Sequence, residues 1–566
     1  MHRNLKKSGA VLIAIAITAA LMSAAGCTPS NTSSGTTSST SSVAKGGTLS
    51  YYIGEPTAID PYNAQESEGV QVTQSIFDSL TVIDPKTGKV APAAADSWSS
   101  DTSATVWTFK LHPGAKFADG EPVTAKDFVY AYNRIAESAS TNATDPSQIS
   151  YHLSPIVGYD EAQAKGTPMS GVKAVDDTTF EVTLQYPFAD WPYVAAHPAL
   201  APVPQKLVEG GVPYNGAKVP FGQMPVGNGP FKMSEPWKHD QYVKVVANGD
   251  YYGEKANLDS VNFAIFKDPE TAYREFQAGT LDFTQIPEGQ IEAAKTTYGV
   301  SADGYTVQPG KGVLIGPEAA IYYFSFDMKK APFDKQKVRE AVSLAINRQA
   351  IADTIYEGTR KPADSFLPPG VTGYAPGQFP YSHYDVAAAK QALADAGYPG
   401  GKGLPPIKVA LNTGGGHEKV VELVQSDLKA IGISTTSEAL AAPQYWPFLR
   451  TTNYFLGRDG WIADYPIADN FTNPMFNGAS ADNHSHFASA TVDADIIKAR
   501  ATVDDAARAD LYSKIQSNIG SAAPVMPIVY YAHRHVGANR VNDLDYDNMG
   551  LAHLDKAWLT GGGAAK

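Results

Sequence analysis

VWTFKLHPGAKFADGEPVTAKDFVYAYNR, residues Val106 to Arg134, holds a strand, a turn and a capped helix in one short run. Thr105 to Leu111 largely alternates apolar and polar side chains, the period of a half-buried strand. Asp119-Gly120 supplies a turn. Thr124 stands three residues before Asp127, and an apolar-periodic run follows to about Ile135. A helix with Thr124 as its N-cap is therefore expected.

Strand and helix signals continue to alternate on both sides. Val172 to Leu184 reads as a hairpin around Asp176-Asp177, and Tyr242 to Ala247 as a strand. Thr271 to Gln277 reads as a helix stopped by Gly279. Tyr322 to Phe326 is an expected strand, and Val338 to Ile346 an expected helix with Val338, Val342, Ala345 and Ile346 on one face. Val386 to Ala396 and Val420 to Ile431 are further helices, ending before Gly397 and Gly432. No internal repeat is present. The expected fold class is mixed α/β.

The N-terminus addresses the compartment. Arg3, Lys6 and Lys7 precede an apolar run from Ala10 to Met22, small residues Ser23 to Gly26, and then Cys27. This is the pattern of an export signal over 1–26, with an apolar run shorter than the ~20 residues of a membrane span. Cys27, the single cysteine in 566 residues, follows the cut. The arrangement resembles the lipobox of bacterial lipoproteins, with Ala24 where leucine is usual; the alternative is ordinary cleavage beside an incidental cysteine. The stretch 27–47 is mostly Ser, Thr, Gly and Asn, the composition of a flexible tether behind a lipid anchor on Cys27. With one cysteine, the mature chain has no internal disulfide.

The remaining chain is too long for one core, so two or three domains are expected. Forty-five basic against 58 acidic residues give a net charge of −13, without basic runs, which argues against nucleic acid as a partner. The chain lacks a Gly-x-Ser-x-Gly elbow, a Walker loop and a His-Glu-x-x-His, so an enzyme is not expected. His484-Ser485-His486 and His533-Arg534-His535 lack Cys or carboxylate partners at ligand spacing, so neither a metal nor another cofactor is assigned.

GRDGWIADYPIADNF, Gly457 to Phe471, puts Arg458, Trp461 and Asp464 close together in a run that begins as a strand. The two charges could pair with each other. They could also meet the two ends of a ligand, with Trp461 packing the wall. Tyr151, Tyr445 and Trp446 are candidate pocket aromatics that would serve a core equally well.

Val106 to Arg134 resembles the signature stretch of the solute-binding proteins of peptide ABC transporters, family 5. VGNGPFKM (Val226 to Met233), APFDKQKVREAVSLAINRQAI (Ala331 to Ile351), YDVAAAKQALADAGYP (Tyr384 to Pro399) and GRDGWIADYP continue in the family's order. The resemblance implies a bilobed, three-domain periplasmic-binding-protein-like fold with a hinge. The expected domains are 48–81, 205–319 and 527–566 together, then 82–204, then 320–526. It implies that Asp464 receives a peptide's α-ammonium and Arg458 its carboxylate, on a ligand strand that includes Gly460 and Ala463. NTGGGHEK implies a carboxylate contact for His417, and Glu68-Gly69-Val70 an opposite wall. The family's lysine for shorter peptides has no clear counterpart, since Arg360 and Lys361 lie out of register.

A receptor for many sequences must read what all peptides share: backbone groups and two end charges. Strand addition satisfies the backbone, and charge-assisted bonds fix the ends. The expected function is therefore a lipid-anchored, extracytoplasmic oligopeptide receptor, monomeric, serving an ABC permease. The alternative is a same-fold receptor for an oligosaccharide or a metal chelate.

Overall fold

The computed structural model describes residues 44–561 except 143, 414–415 and 452–453. Cys27, the signal segment and the tether up to residue 43 lie outside the described residues. Among the described residues no helix is long and apolar enough to cross a membrane.

A ten-stranded mixed sheet organises the chain. In sequence its strands are β1 (Thr48–Ile53), β2 (Phe231–Met233), β3 (Tyr242–Ala247), β4 (Ser260–Ile265), β5 (Phe283–Gln285), β6 (Val313–Phe326), β7 (Ile407–Asn412), β8 (Thr435–Leu440), β9 (Leu456–Ile462) and β10 (Val525–Gly537). In space the order is β2-β3-β4-β1-β5-β10-β6-β9-β7-β8. The antiparallel pair β6 and β10 runs through both halves of the sheet. One end of β10 pairs with β5 through Gly537 and Phe283, while the far end of β6 pairs with β9 from Ala320 to Phe326. Their register slips between Pro317 and Ile321 and again after Tyr322. Such bulges bend a strand, and these stand where the two halves meet. The fold is bilobed, with the hinge carried by strands that cross between the lobes.

Separate hydrophobic cores fill the lobes. One joins Leu49, Phe109, Phe128, Phe180 and Phe263; others, around Phe324, Val342 and Leu411 and around Ile321, Phe471 and Ile515, fill the second lobe. The four-stranded sheet of Ala95–Ser100, Val106–Leu111, Thr179–Thr183 and Val172–Asp176 includes the expected hairpin.

Local chemistry explains the element ends. Helices α1 (Ser67–Ile76) and α2 (Ala125–Ala136) precede β2 in the chain. The N-cap Thr124 donates both its N–H and its hydroxyl to Asp127, each at 2.8 Å, as the spacing predicts. Gly279 ends Pro269–Ala278 at φ +83°, a left-handed conformation that suits glycine. In VGNGPF, a Cβ on Gly227 would stand 1.9 Å from the carbonyl oxygen of Ile76. That glycine lets the chain pass against the end of α1, so its role is packing.

Candidate functional site

Side chains alternate along β9, so Arg458, Gly460, Ile462 and, just past the strand, Asp464 share one parity. Asp459, Trp461 and Ala463 take the other. The two sets have different surroundings. Asp459 is buried, accepts from the Ser325 hydroxyl at 2.8 Å and pairs with His484 Nδ1 at 2.8 Å. Trp461 packs on the core around Ile321 and Phe471, and its Nε1 donates to Asn470 Oδ1 at 3.3 Å. Ile462, by contrast, is 73% exposed and lines two cavities.

Asp464 is held by neutral donors. Tyr151 Oη donates to its Oδ1 at 2.7 Å across 313 residues of sequence, and Asn470 Nδ2 donates to its Oδ2 at 3.2 Å. Asn470 Oδ1 accepts from the Asp464 N–H at 3.1 Å, so this one amide fixes both backbone and carboxylate. Burial, then the carboxylate beside it, pushes the Tyr151 phenol well above its usual range, so it stays a donor. His152 and His197 lie nearby, their rings tilted by 34° with centroids 4.4 Å apart, each lowered to about 3 chiefly by burial and so neutral. Among the described residues Asp464 makes no ion pair.

Arg458 stands six positions earlier, up to ~20 Å away along an extended chain. It is 5% exposed. Its Nη2 donates to Tyr531 Oη at 2.7 Å, its Nη1 to Asn412 Oδ1 at 3.3 Å, and its guanidinium lies over the Tyr322 ring at 4.6 Å. Its Nε has no hydrogen-bond partner, and no described carboxylate forms an ion pair with it. A Cβ on Gly460 would come within 3.3 Å of both Arg458 Nη2 and Tyr531 Oη, so a glycine leaves room for the guanidinium. Arg360, out of register in the sequence, is brought to the same place, over the rings of Tyr356 and Tyr531 at 4.0 and 4.2 Å.

His417 opens the helix α3 (His417–Ala430), its ring 5.5 Å from that of Tyr322 and its Nδ1 unpartnered. Burial first, then the guanidiniums of Arg458 and Arg360, lowers it to about 4. In free protein its imidazole resonances should titrate near pH 4, and a bound carboxylate should raise that midpoint. A midpoint at or above 6.5 in the free protein, by NMR, would contradict this electrostatic picture.

The strand edge is also open. Ala463 N–H donates to Ala319 O. By antiparallel alternation the odd-numbered residues of β9 bond to β6, while Arg458, Gly460 and Ile462 turn their backbone groups to the other edge. On that edge β7 pairs only with Leu456 and Gly457. Along the rest, among the described residues, no strand is paired.

Two cavities meet at this edge. One, of about 370 Å³, is lined by Asp464, Ala463, Ile462, Tyr151, His197 and Val70. The other, of about 310 Å³, shares Ile462 and Ala463 and is lined by Glu68. Gly69 serves packing, since a Cβ there would stand 2.1 Å from Ala58 O. A larger hollow of about 1030 Å³, around Asp60, Arg134 and Trp237, lies apart from all the sequence-predicted residues.

Asp464, Tyr151, Ala463 and Val70 thus come together, as do Arg458, Gly460 and His417. Tyr445 and Trp446 belong to a small core with Leu449 and Tyr454. Tyr445 Oη donates to the Arg458 carbonyl at 2.5 Å, with the Ala410 carbonyl 3.1 Å away, and so ties β9 to β7. Sequence reasoning missed Asn470, Tyr531 and Tyr322. Asn470 lies in the quoted stretch, but nothing in the sequence indicates that the turn returns it to Asp464. The histidine pairs serve structure: His486 pairs with Asp327, and His533 Nε2 lies 2.8 Å from Gly304 O.

Residues 89–483 match the bacterial extracellular solute-binding proteins, family 5 Middle. The oligopeptide-binding protein OppA of Bacillus subtilis is 27% identical over 514 residues, 89% of this chain and 91% of the relative. The unliganded open form of the murein tripeptide-binding protein MppA superposes with a TM-score of 0.80 at 25% identity, covering 91% of this chain and 98% of that one. OppA of Haemophilus influenzae, solved in complex with the peptide RPPGFSPFR, has a TM-score of 0.64 at 26% identity, covering 92% and 100%. The chain belongs to the bacterial extracellular solute-binding proteins of family 5, which are transport receptors and not enzymes.

Proposed function

We propose that this receptor captures oligopeptides outside the cytoplasm and delivers them to the permease of an ABC transporter. One observation carries the reading: a carboxylate and a buried guanidinium, neither in an ion pair among the described residues, stand at opposite ends of an open strand edge. Asp464 receives the α-ammonium, and Arg458, assisted by His417 and Arg360, the carboxylate. The peptide's backbone adds to the edge of β9 at ~0.5–1.5 kcal/mol net per hydrogen bond. An oligosaccharide receptor would not need a carboxylate for an ammonium group, and the peptide complex of a relative supports the same choice. Native mass spectrometry of the purified protein tests the reading. Retained peptides are the expected result; a retained sugar or chelate would overturn it.

The division into 48–81 with 205–319 and 527–566, then 82–204, then 320–526, belongs to the same proposal. Its boundaries at 319–320 and 526–527 fall within β6 and β10, the strands shared by both lobes. The receptor works as a monomer held at the membrane by a lipid on Cys27. Cys27→Ser should release it from the membrane fraction, and unchanged membrane retention would exclude Cys27 as the anchor.

A further inference from the structure

We infer that the cavity of about 310 Å³ beside the ligand strand is a side-chain subsite for a lysine or arginine near the N-terminus of the bound peptide. This rests on the peptide reading and adds a side-chain preference to it.

The cavity opens on Ile462 and Ala463, the residues that also line the hollow around Asp464. A peptide with its ammonium on Asp464 and its backbone along β9 must therefore place an early side chain there. Two carboxylates face the space: Glu68 from α1 and Glu318 from β6, where that strand changes register. Both are half-buried, and among the described residues neither makes a hydrogen bond or an ion pair. No lysine or arginine lines the cavity, and its one histidine, His535, is kept neutral by burial and by the neighbouring His533 and Arg534. Arg360 and Arg534 come within electrostatic reach of Glu318, but neither lines the cavity.

The walls suit the same guest. Tyr51, Tyr52 and Tyr546 line the space, offering ring surface to an alkyl stem or a planar guanidinium. Tyr546 is 5% exposed, and its hydroxyl has no partner among the described residues. Burial first, then Tyr51, Glu318, Asp547 and Glu68, raises the Tyr546 phenol. A charged guest that neutralises two unpaired carboxylates gains charge-assisted bonds; a neutral side chain leaves both acids buried when the lobes close.

The test compares trialanine with peptides carrying lysine at position 1, 2 or 3, by calorimetry on the full chain. One lysine position should bind about ten- to hundredfold more tightly than alanine, the range of a hydrogen bond to a charged group. Glu318→Gln, and Glu68→Gln independently, should collapse that ratio toward one. Melting temperatures show that each variant is folded. A second probe does not depend on peptide recognition: n-butylguanidinium against neutral n-butylurea, followed by NMR at millimolar concentration. The cation should perturb resonances of Tyr51 and Tyr546 and lose this effect in Glu318→Gln; the urea should not bind. If trialanine fails to bind while butylguanidinium does, the peptide reading falls and the cation subsite stands. A lysine preference at no position, or one that survives both glutamine variants, overturns the subsite, as does equal binding of cation and urea.

Discussion

Asp464→Ala should weaken binding of a free-amine peptide by roughly two to three and a half orders of magnitude. The wild-type carboxylate is set by Tyr151 from one side and Asn470 from the other, with no cation of its own among the described residues. On the proposed reading, a peptide's ammonium would supply the missing charge once the cleft closes on it. Removing Asp464 leaves that ammonium buried beside a phenol and an amide, neither of which carries a compensating negative charge. Breaking a buried pair from one side costs ~3–5 kcal/mol, and each ~1.4 kcal/mol is tenfold in affinity. The thermal stability of the free protein should change far less, because the free protein has no ammonium to strand.

Arg508→Ala should have its large effect on folding. Helix α4 (Asp505–Ala522) carries Arg508, whose Nε lies 3.0 Å from Asp190 Oδ1, with both side chains almost fully buried. The contact joins segments 318 residues apart, and the Ala189 N–H adds a bond to Arg500 O beside it. Asp190 already sits at about 6, raised by burial and only partly offset by Arg508, with Asp469 and Asp505 also raising it. Without Arg508 the carboxyl must rise further. Truncation should therefore cost ~3–5 kcal/mol of unfolding free energy. The sign of its pH dependence follows from proton counting. In the variant, folded Asp190 keeps its proton while the unfolded chain, at ~3.9, has lost it. Stability then falls as pH rises through 6 toward the new folded value, by the linkage relation. Urea unfolding at pH 6 and pH 8 should give a larger deficit at pH 8. An equal deficit would mean that Asp190 does not take up the proton.

Much of this was legible in the sequence because local chemistry decides it. Thr124 and Asp127 cap α2, Gly279 stops its helix and Asp176-Asp177 turns the hairpin, each by contacts a few residues long. The length of β6 was not legible. Only Tyr322 to Phe326 has the pattern of a strand, and Gly316-Pro317-Glu318 disguises the half that reaches into the other lobe. Strand parity is legible as well: counting by twos from Arg458 reaches Gly460, Ile462 and Asp464, and leaves Trp461 on the opposite face. Tyr445 and Trp446 are aromatic, but they pack in a small core with Leu449 and Tyr454, and only tertiary packing shows that. The convergence of Arg360 on Tyr531, and of Asn470 on Asp464, depends on the path of the chain through space and has no short-range signature.

The central claim is that Asp464 receives a peptide's α-ammonium, and one calorimetric cycle tests it most directly. A peptide and its N-acetylated form are each titrated into the wild type and into Asp464→Ala. Acetylation removes the same charge from the ligand that the mutation answers in the protein, so the two losses should not add. The account predicts a large loss on acetylation in the wild type and a small one in the variant. Equal losses in both proteins would show that Asp464 does not contact the ammonium and would contradict the account.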